Sequence, residues 1–226
     1  MSNIGPSKKT KRTFSFLRRR GRTAYAKIQA NATWECAAVP YIPVFPSVDE
    51  HVKNLLRSGA RGMLMSWTLG GYPTVTLDMI ARRISDASFD PKNWYNETFG
   101  KDAVAVYSAT RKFSRAFKAF PFSLDLLYNG PQNVGAANLL YEKPTGLSAT
   151  MVGYPFDDLK KWRGPFGEKE FIGQFGKLAS EWGKACKFLR GVSNERAKEV
   201  AQMAEAVYIH FYSTYLQARF ITVREQ

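Results

Sequence analysis

Four short stretches of this sequence bring together residue types that do chemistry. The first is Asn31-Ala32-Thr33-Trp34-Glu35. A carboxylate beside an indole at a strand end serves as a general acid or base, or accepts a hydrogen bond from a sugar hydroxyl. The plainer alternative is a loop glutamate beside a packed Trp. The second runs from Trp67 through Gly70 and Gly71 to Tyr72. Sugar C–H faces pack on aromatic rings, and glycines let a ligand approach the backbone. A tight loop around a core Trp uses the same residues. The third is Met151 to Asp158, ending in Asp157 and Asp158, with Trp162-Arg163 after it. From a turn both acids reach one pocket; otherwise one caps the following helix or pairs with Arg163. The fourth is Tyr128-Asn129-Gly130-Pro131-Gln132 with Asn138, amide-rich and suited to hydroxyl recognition. Glu35 is thus the candidate catalytic acid. Asn31, Trp34, Trp67, Tyr72, Tyr128, Asn138, Asp157 and Asp158 are the candidate substrate-binding residues. His51, His210, Cys36 and Cys186 stand too far apart for metal-ligand spacing, so neither a metal nor a cofactor is expected.

These residues need a framework, and the chain is long enough to supply one. It has 226 residues, 45% hydrophobic, which suffices for a full core. Its net charge of +14 is uneven. Residues 1–27 hold nine bases and no acid, while the remaining 24 bases and 19 acids leave the body mildly basic. Bases interleave with Phe14 and Phe16 over residues 8–27, as in RNA-binding arms, which makes nucleic acid an alternative partner. No RNA-binding or helix-turn-helix motif follows. A solvated helix ending in bases and Gly explains the same stretch. No apolar run reaches the length of about 20 residues that spans a bilayer, and no apolar segment follows the N-terminal bases. The expectation is a cytoplasmic protein with no membrane partner.

The elements can be placed from periodicity. Residues 23–30 read as a strand entering Asn31, and 33–46 as a proline-rich loop. Ser47 with Glu50 forms a capping box for a helix with a Val48, Leu55, Leu56 stripe, ended by Gly59. A second strand spans 62–67. Strand, helix and strand in this order make a βαβ unit, which requires parallel pairing. Helices follow over 75–85 and 102–120, the latter presenting Val106, Ala109, Phe113, Phe117 and Phe120 on one face. Residues 122–128 read as a further strand and 129–166 as a loop layer. Phe171, Phe175, Leu178, Trp182 and Leu189, then Ala197 through Tyr215, give a helical hairpin broken at Gly191 and recapped by Ser193. The expected organisation is a basic segment 1–22, an α/β part 23–166 and a helical hairpin 167–226.

Several strings resemble a known family: residues 26–35, Val39-Pro40-Tyr41-Ile42-Pro43-Val44, Leu64 to Pro73, Ala149 to Leu159, and His210-Phe211-Tyr212-Ser213-Thr214. They look like the C-terminal part of large bacterial glycoside-hydrolase-like proteins, similar to family-20 hexosaminidases. The resemblance implies the C-terminal part of a (β/α)8 barrel, TIM-type, followed by a helical segment. It also implies an oligosaccharide or glycoside substrate bound at the strand C-termini, and a chain that begins partway round the barrel. In that family an Asp-Glu pair does the chemistry. The Glu protonates the leaving oxygen, and the Asp orients a substrate acetamido group that acts as nucleophile. No such pair stands at a predicted strand end here, because Asp49-Glu50 falls in a helix cap. What carries over is a sugar-binding wall of Trp34, Glu35, Trp67 and Tyr72. A partial barrel also implies open sheet edges, self-association and little or no turnover by the chain alone.

Overall fold

The computed structural model describes residues 2–66, 72–151 and 153–226. The chain begins with helix α1 (Lys8–Arg19), strand β1 (Ala24–Ile28), helix α2 (Phe45–Arg57) and strand β2 (Ala60–Met65). Among the described residues seven α-helices follow, with short 3-10 turns between some of them: α3 (Val75–Ser85), α4 (Pro91–Phe99), α5 (Ala103–Ala116), α6 (Leu124–Asn129), α7 (Leu159–Arg163), α8 (Glu168–Cys186) and α9 (Glu195–Arg224). The βαβ unit forms, with β1 and β2 parallel and Ala24 opposite Ala60, Ile28 opposite Met65.

The barrel does not. Among the described residues only two short strands form, and helices make up most of the rest, so the fold is largely helical rather than TIM-type. Of residues 122–128, read as a strand, 124–128 lie in α6 and Ser123 caps it. The Ser123 hydroxyl accepts from the Leu126 N–H at 3.1 Å, capping a helix that runs into Gly130-Pro131. A short apolar run does not distinguish strand from buried helix, and here the cap decides.

Two other boundaries move. Helix α2 starts at Phe45, ahead of the expected capping box. Pro46 in its first turn presets φ, and no side chain caps it. Helix α9 is capped by Asn194 rather than Ser193, the Asn194 side chain accepting from Ala197 N–H at 3.1 Å. Helix α4, which the periodicity did not reveal, is anchored by its aromatic residues. Trp94, Tyr95 and Phe99 pack around Phe45 of α2, with the Phe45–Trp94 ring centroids 5.6 Å apart.

Helix α5 packs between α8 on one side and α2 and α4 on the other. Its Phe113 stacks on Trp182 of α8 at 4.4 Å, and Phe117, Phe175 and Phe211 close the cluster. The Trp182 indole donates to Ala204 O at 2.9 Å, which fixes α8 against α9. One core cluster includes Phe14 of α1, Ala26 and Ile28 of β1, and Ile221 of α9. Asp102 joins the start of α5 to the start of α9 by accepting from the Ser193 and Asn194 N–H groups at 2.8 and 2.7 Å. No helix among the described residues is long and apolar enough to cross a membrane.

Candidate functional site

Both strands end at the same place, and the chain segments leaving them are tied together there by buried polar groups. Ser66, just past β2, donates its N–H to Ile28 O at 2.6 Å and accepts from Asn31 N–H at 2.9 Å through its hydroxyl. It does so at φ 71, a left-handed conformation that is costly for a residue with a side chain. Asn31 then reaches the segment before α3. Its amide donates to Tyr72 O at 3.0 Å, and its carbonyl accepts from the Thr74 hydroxyl at 2.5 Å. Thr74 also caps α3.

Glu35 is 4% exposed. Its Oε1 accepts from the Ser2 N–H at 2.7 Å and from the Ser2 hydroxyl, and its Oε2 from the Thr33 hydroxyl at 3.1 Å. The neighbouring Trp34 donates its N–H to Gln29 Oε1 at 3.2 Å. Its ring stands 6.2 Å from that of Tyr128, inclined by 55°, and both residues are half-buried. Gln132 supports this pair from behind. Its side-chain amide donates to Leu126 O at 2.9 Å and Trp34 O at 3.4 Å. The Gln132 carbonyl in turn lies 2.9 Å from His210 Nδ1. Burial holds the His210 pKa below its ordinary value, against the opposing pull of that hydrogen bond. His51, on α2, is half-buried and accepts from Gly5 N–H at 2.8 Å; burial lowers its pKa also.

A buried tyrosine and a half-buried glutamate adjoin the cluster. The Tyr41 side chain is wholly buried, which drives its phenol pKa far up, and the charge of Glu199 on α9 and the Tyr72 phenol add to the effect. The Tyr41 hydroxyl and Glu199 Oε1 each lack a hydrogen bond of ordinary geometry among the described residues. The sequence marks Tyr41 only as part of a resemblance string, with no role, and does not mark Glu199. Glu199 lies within an amphipathic helix pattern, one position from the inward-facing Val200, and nothing in that pattern marks it.

Asn31, Trp34, Glu35, Tyr72 and Tyr128 therefore come together, while three other candidates lie elsewhere. Asn138 donates to Phe156 O and Gln217 Oε1, both at 2.7 Å. Asp157 accepts from Thr145 and pairs with Arg224 at 2.8 Å, not with Arg163. Asp158 caps α7, accepting from Lys161 N–H at 3.1 Å, and also takes the Ala149 N–H at 2.9 Å. In these positions Asn138 and Asp157 hold the 138–158 segment against α9, while Asp158 ties it to the start of α7. Trp67, with residues 68–71, lies outside the described residues. Cys36 and Cys186 are free thiols whose pKa burial pushes up to about 12. Among the described residues no three His, Cys, Asp or Glu side chains converge on a metal-sized site.

The fold and site together define a largely helical protein with one parallel βαβ unit, whose strand C-termini carry an aromatic and amide-rich cluster. Comparison with protein-family models, with curated proteins and with solved structures finds no match to this chain.

Proposed function

We propose that the chain binds sugar at the C-terminal ends of β1 and β2, as the carbohydrate-recognising part of a glycoside-hydrolase-like protein. The observation that carries this reading is the Trp34–Tyr128 ring pair, 6.2 Å apart, beside the buried Asn31 and Glu35 and the exposed Tyr72. Rings of this kind take the apolar face of a pyranose, and the buried Asn31 and Glu35, hydrogen-bonded within the protein, hold the backbone around them. The reading rests on the site and on the sequence resemblance, and owes nothing to a barrel.

Glu35 acts here mainly as an anchor. Both its oxygens accept hydrogen bonds from Ser2 or Thr33, which fixes the backbone that presents Trp34. No aspartate adjoins it in sequence to make the pair that family-20 chemistry needs. Binding without turnover is the expected behaviour of the chain alone.

The test is a titration of N-acetylglucosamine oligomers followed by tryptophan fluorescence. Trp94, Trp162 and Trp182 are at most 1% exposed, so the signal comes from the remaining indoles. Saturable quenching is expected, weakened about tenfold, or roughly 1.4 kcal/mol, by Trp34→Ala. Failure of every oligosaccharide in a broad panel to bind would sink the reading. Hydrolysis of an aryl β-hexosaminide, lost on Glu35→Gln, would make Glu35 a catalytic acid instead.

A further inference from the structure

The opposite ends of the same two strands carry a different feature. A groove of about 470 Å³ lies between the C-terminal ends of α1 and α2 and the first residues of β1 and β2. Arg18, Arg22, Arg57 and Arg61 rim it, Phe14 and Leu56 line its apolar part, and no acidic side chain contributes. All four arginines are exposed, and none makes an ion pair among the described residues. Arg18 and Arg57 lie in the last turns of their helices, where the negative end of the helix dipole favours a cation. That explanation does not reach Arg22 and Arg61, which lie on the approach to β1 and within β2. Four unneutralised guanidinium groups around one groove repel each other unless an anion joins them.

The neighbouring strand face supplies a second element. Parallel strands are normally covered on both faces. Here Tyr25 is 72% exposed and Leu64 65% exposed. The Tyr25 ring meets Gly62 along its Cδ1–Cε1 edge, where an added Cβ would stand 2.6 Å from both of those atoms and 3.9 Å from Cγ. The ring is thus braced by backbone at one edge, and most of its surface stays exposed. Tyr25 follows Ala24, which lines the groove, and Gly62 follows Arg61. On α1 the half-exposed Phe16 carries Arg20 at 5.2 Å over its ring. Another basic groove, between α5 and α8, lacks this character. Glu181 sits within it and pairs with Lys184 at 2.6 Å.

From this we infer that the arginine groove and the Tyr25 platform form a binding site for single-stranded nucleic acid. The groove takes the phosphates, and Tyr25 stacks a base. A positively charged track beside an open aromatic ring is the arrangement that binds single strands with little sequence preference. Duplex geometry would hide the base faces that Tyr25 is placed to meet. The inference is independent of sugar binding at the other end of the strands, and either stands if the other fails.

The experiment is fluorescence anisotropy of the full chain with labelled dodecauridylate and deoxythymidylate at several salt concentrations. Four phosphate contacts give a salt slope of about −2.8, or roughly 50-fold weaker binding between 50 and 200 mM salt. The double variant Arg57→Gln/Arg61→Gln should reduce the slope to about −1.4. Tyr25→Ala should weaken binding about tenfold and leave the slope unchanged. Circular dichroism checks that each variant is folded, and if the arginine double variant is not, Tyr25→Ala decides. Absence of saturable binding overturns the proposal. So does a Tyr25→Ala variant that binds as tightly as the parent. A heparin oligosaccharide of equal charge binding as well as the dodecamer would reassign the groove to generic polyanions, which also overturns it.

Discussion

Arg224, in the last turn of α9, lies 2.8 Å from Asp157, and both side chains are almost fully buried. Burial raises the Asp157 pKa, but hydrogen bonds from Thr145 and Arg224 outweigh it and hold the carboxyl below its ordinary value. Asp157→Ala removes the nearer carboxylate and leaves the buried guanidinium with only Tyr141 O at 3.0 Å and the half-exposed Glu225 at 3.5 Å, which costs about 1–3 kcal/mol. Urea denaturation should show that loss, while sugar titration of the folded fraction should be unchanged. Loss of sugar affinity with stability intact would return Asp157 to the binding site.

Gly135 has φ 63, and a Cβ there would stand 2.6 Å from His210 Nδ1. Gly135→Ala therefore combines backbone strain with a clash against the histidine behind Gln132. Together these cost about 2–4 kcal/mol. Thermal denaturation measures it, and His210→Ala in the same background should recover part of the loss by relieving the clash. A neutral Gly135→Ala would mean that the 135–137 turn is free to move.

His51 and His210 both have pKa values held below the ordinary 6.5. Each takes up its proton more readily in the unfolded chain than in the folded one, so stability rises with pH across this window. It is fully present above about 6.5 and declines as pH falls toward the folded-state values. Melting temperatures between pH 7.5 and 5.5 should fall, and the fall should shrink in a His51→Gln/His210→Gln variant. A flat profile in the parent contradicts the burial of both rings.

Asn31 links the ends of both strands to Thr74. Asn31→Ala strands the Tyr72 carbonyl and the Thr74 hydroxyl, at about 1–3 kcal/mol for each group left unsatisfied. The expected result is a modest fall in melting temperature with faster proteolysis near Tyr72 at native temperature. Unchanged protease resistance would show that the 72–74 segment is held by other contacts.

The parts of this fold written in local pattern were readable from the chain. The β1–α2–β2 unit, α3 and the α8–α9 hairpin follow from alternation, from 3.6-residue periodicity and from Gly59 and Gly191. The architecture was not readable, because two parallel strands are compatible with a barrel until the rest of the chain is seen. The segment around Leu126 shows the difficulty: an apolar run of a few residues fits strand or helix, and only the Ser123 cap separates them. Asn31, Trp34, Glu35 and Tyr72 stood out as residue types beside strand ends, whereas Tyr128 stood out only in an amide-rich stretch, and it lies in helix α6. Gln132 was picked out for its amide, but its bracing of Trp34 depends on a partner 98 residues away. Tyr41 and Glu199 come from segments with no mark of proximity, so no local rule could have paired them.

Helix α9 has 30 residues, about 45 Å of unbroken rod at 1.5 Å per residue. Asn194 meets Asp102 at its start, His210 meets Gln132, Gln217 meets Asn138, and Arg224 meets Asp157 at its end. These tethers reach three stretches of the preceding chain, at residue 102, at residues 132–138 and at residue 157. The helix therefore cannot detach by degrees: releasing its whole length frees segments that are remote from one another in sequence. Amide hydrogens along its length should exchange at nearly one rate, set by a single opening of the whole molecule, with only the terminal turns faster.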